Sequence, residues 1–152
     1  MNPSTQYDFI ELRSVEDEAR FFSLLGRFFA SPHVRRECGG YPLNDGPLYR
    51  WFVACGRADD RVVGFASLEH HGGSLRWREA YVRSDARGRG VFRELRQRVL
   101  KYVDRHKLVC TTRVPATCVP LLAPHGFTVL ATRGKWATLE RKQDVRLPDS
   151  QS

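Results

Sequence analysis

The chain has no apolar run that approaches bilayer-spanning length, although hydrophobic residues fill 41% of its 152 positions. A transmembrane helix is therefore not expected. Its four cysteines (Cys38, Cys55, Cys110 and Cys118) are scattered. They show neither a metal-ligand spacing nor the density of a disulfide scaffold, which points to a reduced, cytosolic chain without a metal. His70 and His71 are adjacent, so a strand would send them to opposite faces and they make a poor metal pair. Met1 to Asp8 is short and polar and does not read as a secretory signal. Negative charge is in deficit: 17 Asp and Glu face 25 Lys and Arg, giving a net charge of +8. Nearly all of the surplus is arginine. Such a surface suits a polyanionic partner, nucleic acid among them, and equally a merely solvated basic exterior. The length is that of one domain with a proper core.

What the chain does have is the stretch Tyr81-Val82-Arg83-Ser84-Asp85-Ala86-Arg87-Gly88-Arg89-Gly90-Val91-Phe92-Arg93-Glu94-Leu95. It reads as a strand end, a tight glycine turn and a helix start. Gly88 and Gly90 lack a Cβ, so the backbone can turn sharply there and approach a ligand closely. A helix start presents unpaired N–H groups and a positive dipole end. Arg83, Arg87, Arg89 and Arg93 surround it. The pattern is an anion cradle suited to pyrophosphate. A Walker loop would require Gly-Lys-Ser/Thr, and no Lys follows; a dinucleotide loop would require a third glycine where Arg93 stands.

The rest of the chain alternates strands and helices. Tyr7 to Arg13 suits a first strand, and Ser14 reads as the N-cap of a helix with Glu16, Asp17 and Glu18 in its first turn. Phe21, Phe22, Leu25, Phe28 and Phe29 form its apolar stripe. Val34 to Pro47 is a polar segment with turn signals at Gly39-Gly40 and Asn44-Asp45-Gly46. Leu48 to Cys55 and Arg61 to His70 make a hairpin, and Leu75 to Val82 is the next strand. Val91, Leu95, Val99 and Val103 ladder a helix that packs by one face. Lys107 to Thr112 follows as a strand, parallel to Leu75–Val82 because a helical crossover joins them. Thr117 to His125 reads as a short helix, distorted by Pro120 and Pro124. Two strands close the chain, one from Gly126-Phe127 and one over Lys135 to Glu140.

The run Val82, Arg87, Gly88, Gly90, Val91 and Leu95 resembles the acetyl-CoA loop of the GCN5-related N-acetyltransferase (GNAT) superfamily, and Gly126-Phe127 is similar to its second signature. The chain is similar to small phage and bacterial members. Phe92 stands where the family has Gly or Ala, Pro115 where many members have Asn, and Leu122 where many have a Tyr that protonates the leaving thiolate. The resemblance implies an α/β (α+β) fold. It would have a mixed central sheet of six to seven strands, splayed at the cofactor and flanked by about four helices. A single domain over 1–142 and a disordered polar tail over 143–152 are expected.

The resemblance also implies an acetyl-CoA-dependent N-acyltransferase. Tyr81, Val82, Arg87, Gly88, Arg89, Gly90, Val91 and Phe92 would bind the cosubstrate. Backbone N–H groups near Val82 would meet the carbonyl oxygen as it gains charge. Glu79 is the candidate base, on the same strand face as Trp77 and Tyr81 and at a position where relatives with small amine substrates carry an acid. Glu69 is its alternative. Tyr81, Tyr41 and Cys118 are candidate acids, with water as a fourth. His33, Arg35, Arg36, Glu37, Tyr41 and Asp45 of the polar segment, together with Glu69, are candidates on the acceptor side. The acceptor is a primary amine of a small molecule or protein, or an amine on a modified nucleic-acid base. A third reading is a catalytically weak protein that binds CoA or a partner.

Overall fold

A computed structural model of the protein describes residues 6–143. The expected tail lies outside the described residues, apart from Gln143. Seven strands form one mixed sheet: β1 (Tyr7–Leu12), β2 (Tyr49–Gly56), β3 (Val62–His71), β4 (Ser74–Val82), β5 (Val109–Pro115), β6 (Thr128–Arg133) and β7 (Trp136–Arg141). Their order is β1-β2-β3-β4-β5-β7-β6. Among the described residues four α-helices accompany them: α1 (Glu18–Phe29), α2 (Pro32–Glu37), α3 (Val91–His106) and α4 (Val119–Leu122). The pairs β1–β2, β5–β7 and β6–β7 are antiparallel. The crossover through α3 makes β4–β5 parallel, from Ser74 opposite Val109 to Trp77 opposite Thr112. Among the described residues, no helix is long and apolar enough to cross a membrane.

By contact the chain divides into two compact units, residues 1–68 with 79–100 and residues 69–78 with 101–152. The first is built on aromatic packing. Phe21 and Phe28, one face of α1, meet Trp51 of β2 and Phe65 of β3 at ring separations of 5.8 and 5.5 Å. Trp51 to Cys55 are buried in succession, because β2 is covered on both faces. Removing the Trp51 ring from this cluster should cost about 3–5 kcal/mol. The Trp51 indole N–H donates to Asp45 at 2.9 Å and, with buried Leu43, pins the polar segment before β2.

The helix start differs from expectation. Asp17, not Ser14, caps α1, its carboxylate accepting from the Arg20 N–H at 3.1 Å. The N–H groups of Glu16 and Asp17 both donate to the Arg13 carbonyl, so a turn occupies residues 14–16 and delays the helix.

In the second unit, buried Arg141 donates twice to Asp104, at 2.8 and 3.3 Å, and once to the His125 carbonyl at 2.7 Å. At the end of the parallel ladder the Thr112 hydroxyl donates to the Trp77 carbonyl at 2.9 Å. β5 begins at Val109 rather than Lys107, because Lys107 takes a left-handed φ of 54° that ends α3. The expected helix over 117–125 is broken into 3-10 turns at Ala116–Cys118 and Ala123–His125, with only α4 between them. Pro120 and Pro124 each remove a helical donor, which accounts for the break.

Candidate active site

The turn after β4 is built stepwise from its own backbone. The Arg83 N–H donates to the Val63 carbonyl at 2.7 Å, holding the strand end against β3. Ser84–Ala86 then make one 3-10 turn, with Ala86 buried beneath it. Gly88 and Gly90 follow at φ 78° and 84°, a region costly for any residue with a Cβ. A Cβ placed on Gly88 would meet nothing within 4 Å. Conformation therefore calls for glycine there, and the space beside it is open. The first helical bond of α3 runs from the Glu94 N–H to the Gly90 carbonyl at 3.0 Å. The N–H groups of the preceding turn are thus not consumed by the helix ladder.

The arginines around this turn divide by partner. Arg83 is tied to Asp85 at 2.6 Å, a contact that raises the proton affinity of the guanidinium and holds the carboxylate below its usual range. Arg89 and Arg93 have no ion-pair partner among the described residues. Arg96 lies 5.6 Å over the Phe92 ring, and its Nε is buried without a hydrogen bond. Burial, and next the charge of Arg93, lower its proton affinity. A bound anion would offset the cost of charge here, so these residues fit a phosphate-bearing cofactor.

Arg87 behaves differently. Its backbone stays in the turn, its N–H donating to the Ser84 carbonyl. Its side chain turns to the strand end, where Nε donates to the Val82 carbonyl at 2.8 Å and Nη2 to Glu37 Oε1 at 2.5 Å. Glu37, Ala80, Tyr81, Val82, Arg87 and Phe92 line a cavity of about 400 Å³. Tyr81 is buried there, and that burial, reinforced by the Glu37 charge, pushes its phenol pKa up. It therefore keeps its proton at neutral pH.

Glu79 is half-buried two residues before Tyr81, with its backbone N–H bonded to the Ser67 hydroxyl at 3.1 Å. Cys38, the C-cap of α2, reports its surroundings: its thiol is pushed up to about 12, by burial first, then by the charges of Glu79 and Glu37. The end of α2 thus meets the end of β4. Glu69 pairs with Arg78 at 3.6 Å, and neither Glu69 nor Glu79 is among the residues that line the cavity. Arg35, Arg36 and Tyr41 are exposed and lie outside its lining, although the Arg36 charge acts on Glu37. Leu122, at the position where many relatives carry a Tyr, is buried in α4, and Cys118, the other residue weighed as an acid, is half-buried at its start.

Residues 12–123 match the acetyltransferase (GNAT) family. The chain belongs to this family. As a GNAT protein it is an N-acyltransferase that draws on acyl-CoA. No curated protein matches the chain, but solved structures share its fold. An acyl-CoA N-acyltransferase from Pseudomonas aeruginosa superposes with a TM-score of 0.72 at 16% identity, covering 89% of this chain and 99% of that one. ElaA of Escherichia coli gives 0.68 at 18% identity, covering 90% and 99%. The PaiA N-acetyltransferase of Thermoplasma acidophilum, in complex with coenzyme A, gives 0.59 at 14% identity, covering 90% and 98%. At these identities the likeness shows the fold alone. Within this GNAT chain the residue that sequence reasoning undervalued is Glu37. Its tie to Arg87 spans 50 positions, and no local motif signals a contact of that range.

Proposed function

We propose that the protein transfers an acetyl group from acetyl-CoA to a primary amine, in the cytoplasm or, if phage-encoded, in the host cytoplasm. One observation carries this reading. The anion-ready turn at Gly88–Phe92 and the cavity holding Glu37 and Tyr81 share one end of β4. Residues 1–142 are proposed as one domain, which should unfold in a single transition.

Bound acyl-CoA supplies the acyl group as a thioester. The Arg87 N–H, expected in the cradle, is spent on the Ser84 carbonyl; backbone groups of Gly88, Arg89, Gly90, Val91 and Phe92 are the proposed cradle for its pyrophosphate, with Arg93 and Arg96 supplying charge. Glu79 takes a proton from the acceptor nitrogen, directly or through water, and frees the lone pair that forms the C–N bond. Backbone N–H groups near Val82 are the proposed donors to the carbonyl oxygen. Tyr81, held protonated by burial, gives its proton to the departing sulfur as the C–S bond breaks, and is reprotonated from solvent.

A second reading places the amine on a nucleic-acid base. It is favoured by Arg35 and Arg36, which are exposed in the last turn of α2 beside cavity-lining Glu37. Arg50, another cation available for such a surface, is tied to Glu11 at 3.0 Å. A screen with acetyl-CoA against small amines, peptides and DNA, reading free thiol, tests both. Nucleic-acid binding with the cofactor site saturated should weaken by about 0.7–0.9 log units per log unit of salt for each phosphate neutralised. Arg35→Ala with Arg36→Ala should flatten that slope. Thiol release that no acceptor stimulates would instead support a catalytically weak CoA-binding protein, consistent with Phe92 and Leu122 at atypical positions.

A further inference from the structure

Arg89, Arg93 and Arg96 belong to the turn and to α3. Glu37 and Glu79 both lie within electrostatic reach of the Cys38 thiol, at the junction of α2 and β4. Arg87 sits at that junction rather than facing the turn. Its Nε is spent on the Val82 carbonyl, its Nη2 on Glu37, and its guanidinium carbon lies 5.9 Å from the Tyr81 ring centre.

Glu37 Oε1 receives Arg87 and also faces His33 Nε2 at 3.8 Å. Both partners are on one oxygen. Among the described residues Oε2 receives no hydrogen bond, and Glu37 is an exposed residue on the cavity wall. Tyr81 and Phe92 line the same cavity. A carboxylate oxygen beside aromatic rings is a site for an organic cation.

We propose that Glu37 recognises the acceptor, that Arg87 positions it for this task, and that the acceptor is an amine carrying a second protonated nitrogen. The proposal rests on the N-acyltransfer reading above. Its chemistry assigns one carboxylate to each nitrogen. The nucleophilic nitrogen must shed a proton to Glu79 before it can form the C–N bond. The other nitrogen keeps its proton and pairs with Glu37 Oε2. A simple monoamine would leave Glu37 unused. Arg87 is then a positioning residue of the acceptor side, holding Glu37 against the Val82 carbonyl, and its side chain is not a phosphate contact.

The test uses the full chain saturated with coenzyme A and compares 1,4-diaminobutane with n-butylamine, titrated calorimetrically. These probes differ by one protonated nitrogen. The wild-type protein should prefer the diamine by about tenfold or more, as a charge-assisted hydrogen bond allows. In Glu37→Gln the preference should collapse while the affinities for n-butylamine and coenzyme A are retained, the latter showing that the variant is folded. Arg87→Ala should lose the preference too, with coenzyme A affinity again retained. The proposal is overturned by equal binding of the two amines to the wild-type protein, or by a preference that survives Glu37→Gln. It is likewise overturned if Arg87→Ala loses coenzyme A affinity tenfold with the diamine preference intact. Failure of the N-acyltransfer reading would look different: no coenzyme A binding, or no thiol release with any amine.

Discussion

The backbone N–H of Glu79 donates to the hydroxyl of Ser67 at 3.1 Å, across 12 residues of chain. Ser67 is fully buried on β3, so a side chain takes the place a strand carbonyl would ordinarily fill. Ser67→Ala leaves that N–H unsatisfied and should cost about 1–3 kcal/mol in denaturant unfolding. Turnover should fall with it, because the backbone that aims Glu79 is released, while coenzyme A affinity is kept. Unaltered stability would show that the hydroxyl satisfies nothing essential.

Glu79→Gln keeps the shape of the side chain and removes its basicity. Turnover should drop by about 10²–10⁴-fold with coenzyme A affinity unchanged, the range typical of a lost general base. Steady-state kinetics beside direct binding separate the two effects. A loss of only a few-fold would make Glu79 structural and turn attention to water-mediated proton transfer.

Gly90 has a φ of 84° at the start of α3. Gly90→Val introduces a β-branched side chain where the backbone disfavours one, directly before the helical N–H groups. Coenzyme A should bind far more weakly, whereas the circular dichroism spectrum should keep its native form. Native affinity in this variant would remove the turn from the cofactor site.

Cys38 and Cys110 are both pushed up to about 12, chiefly by burial. A raised thiol pKa leaves little thiolate near neutrality, and thiolate is the reactive form. At pH 8 neither residue should react readily with iodoacetamide in the native protein, and both should label after denaturation. Mass spectrometry of the peptides resolves them. Rapid native alkylation of Cys38 would contradict its burial first, and then the two carboxylates near it.

Much of the fold was legible because its signals are local. Gly88 and Gly90 announced the turn, and the Val91–Leu95–Val99–Val103 ladder announced α3, since glycine conformation and helical period act over a few residues. Pro120 and Pro124 foretold the broken helix before β6. The start of α1 was misplaced because Ser14 and Asp17 have the same capping chemistry. Which one caps depends on a turn around the Arg13 carbonyl that composition does not encode.

The sequence alone determined the family: the loop of Gly88 and Gly90 with its helix start, followed later by Gly126-Phe127, carries the GNAT resemblance. It also nominated Glu79 and Tyr81 as candidates for the proton transfers, since strand parity places them on one face. Only the tertiary structure decided what the charged groups do. Arg87 belongs to the cradle by sequence, yet its guanidinium reaches Glu37, 50 residues away. Arg78 goes to Glu69 on the preceding strand. A guanidinium on a long side chain takes whichever acceptors the fold brings within reach, and here α2 brings Glu37 to the end of β4. Local pattern sets backbone shape, whereas the pairing of charges depends on distances that exist only once the chain has folded.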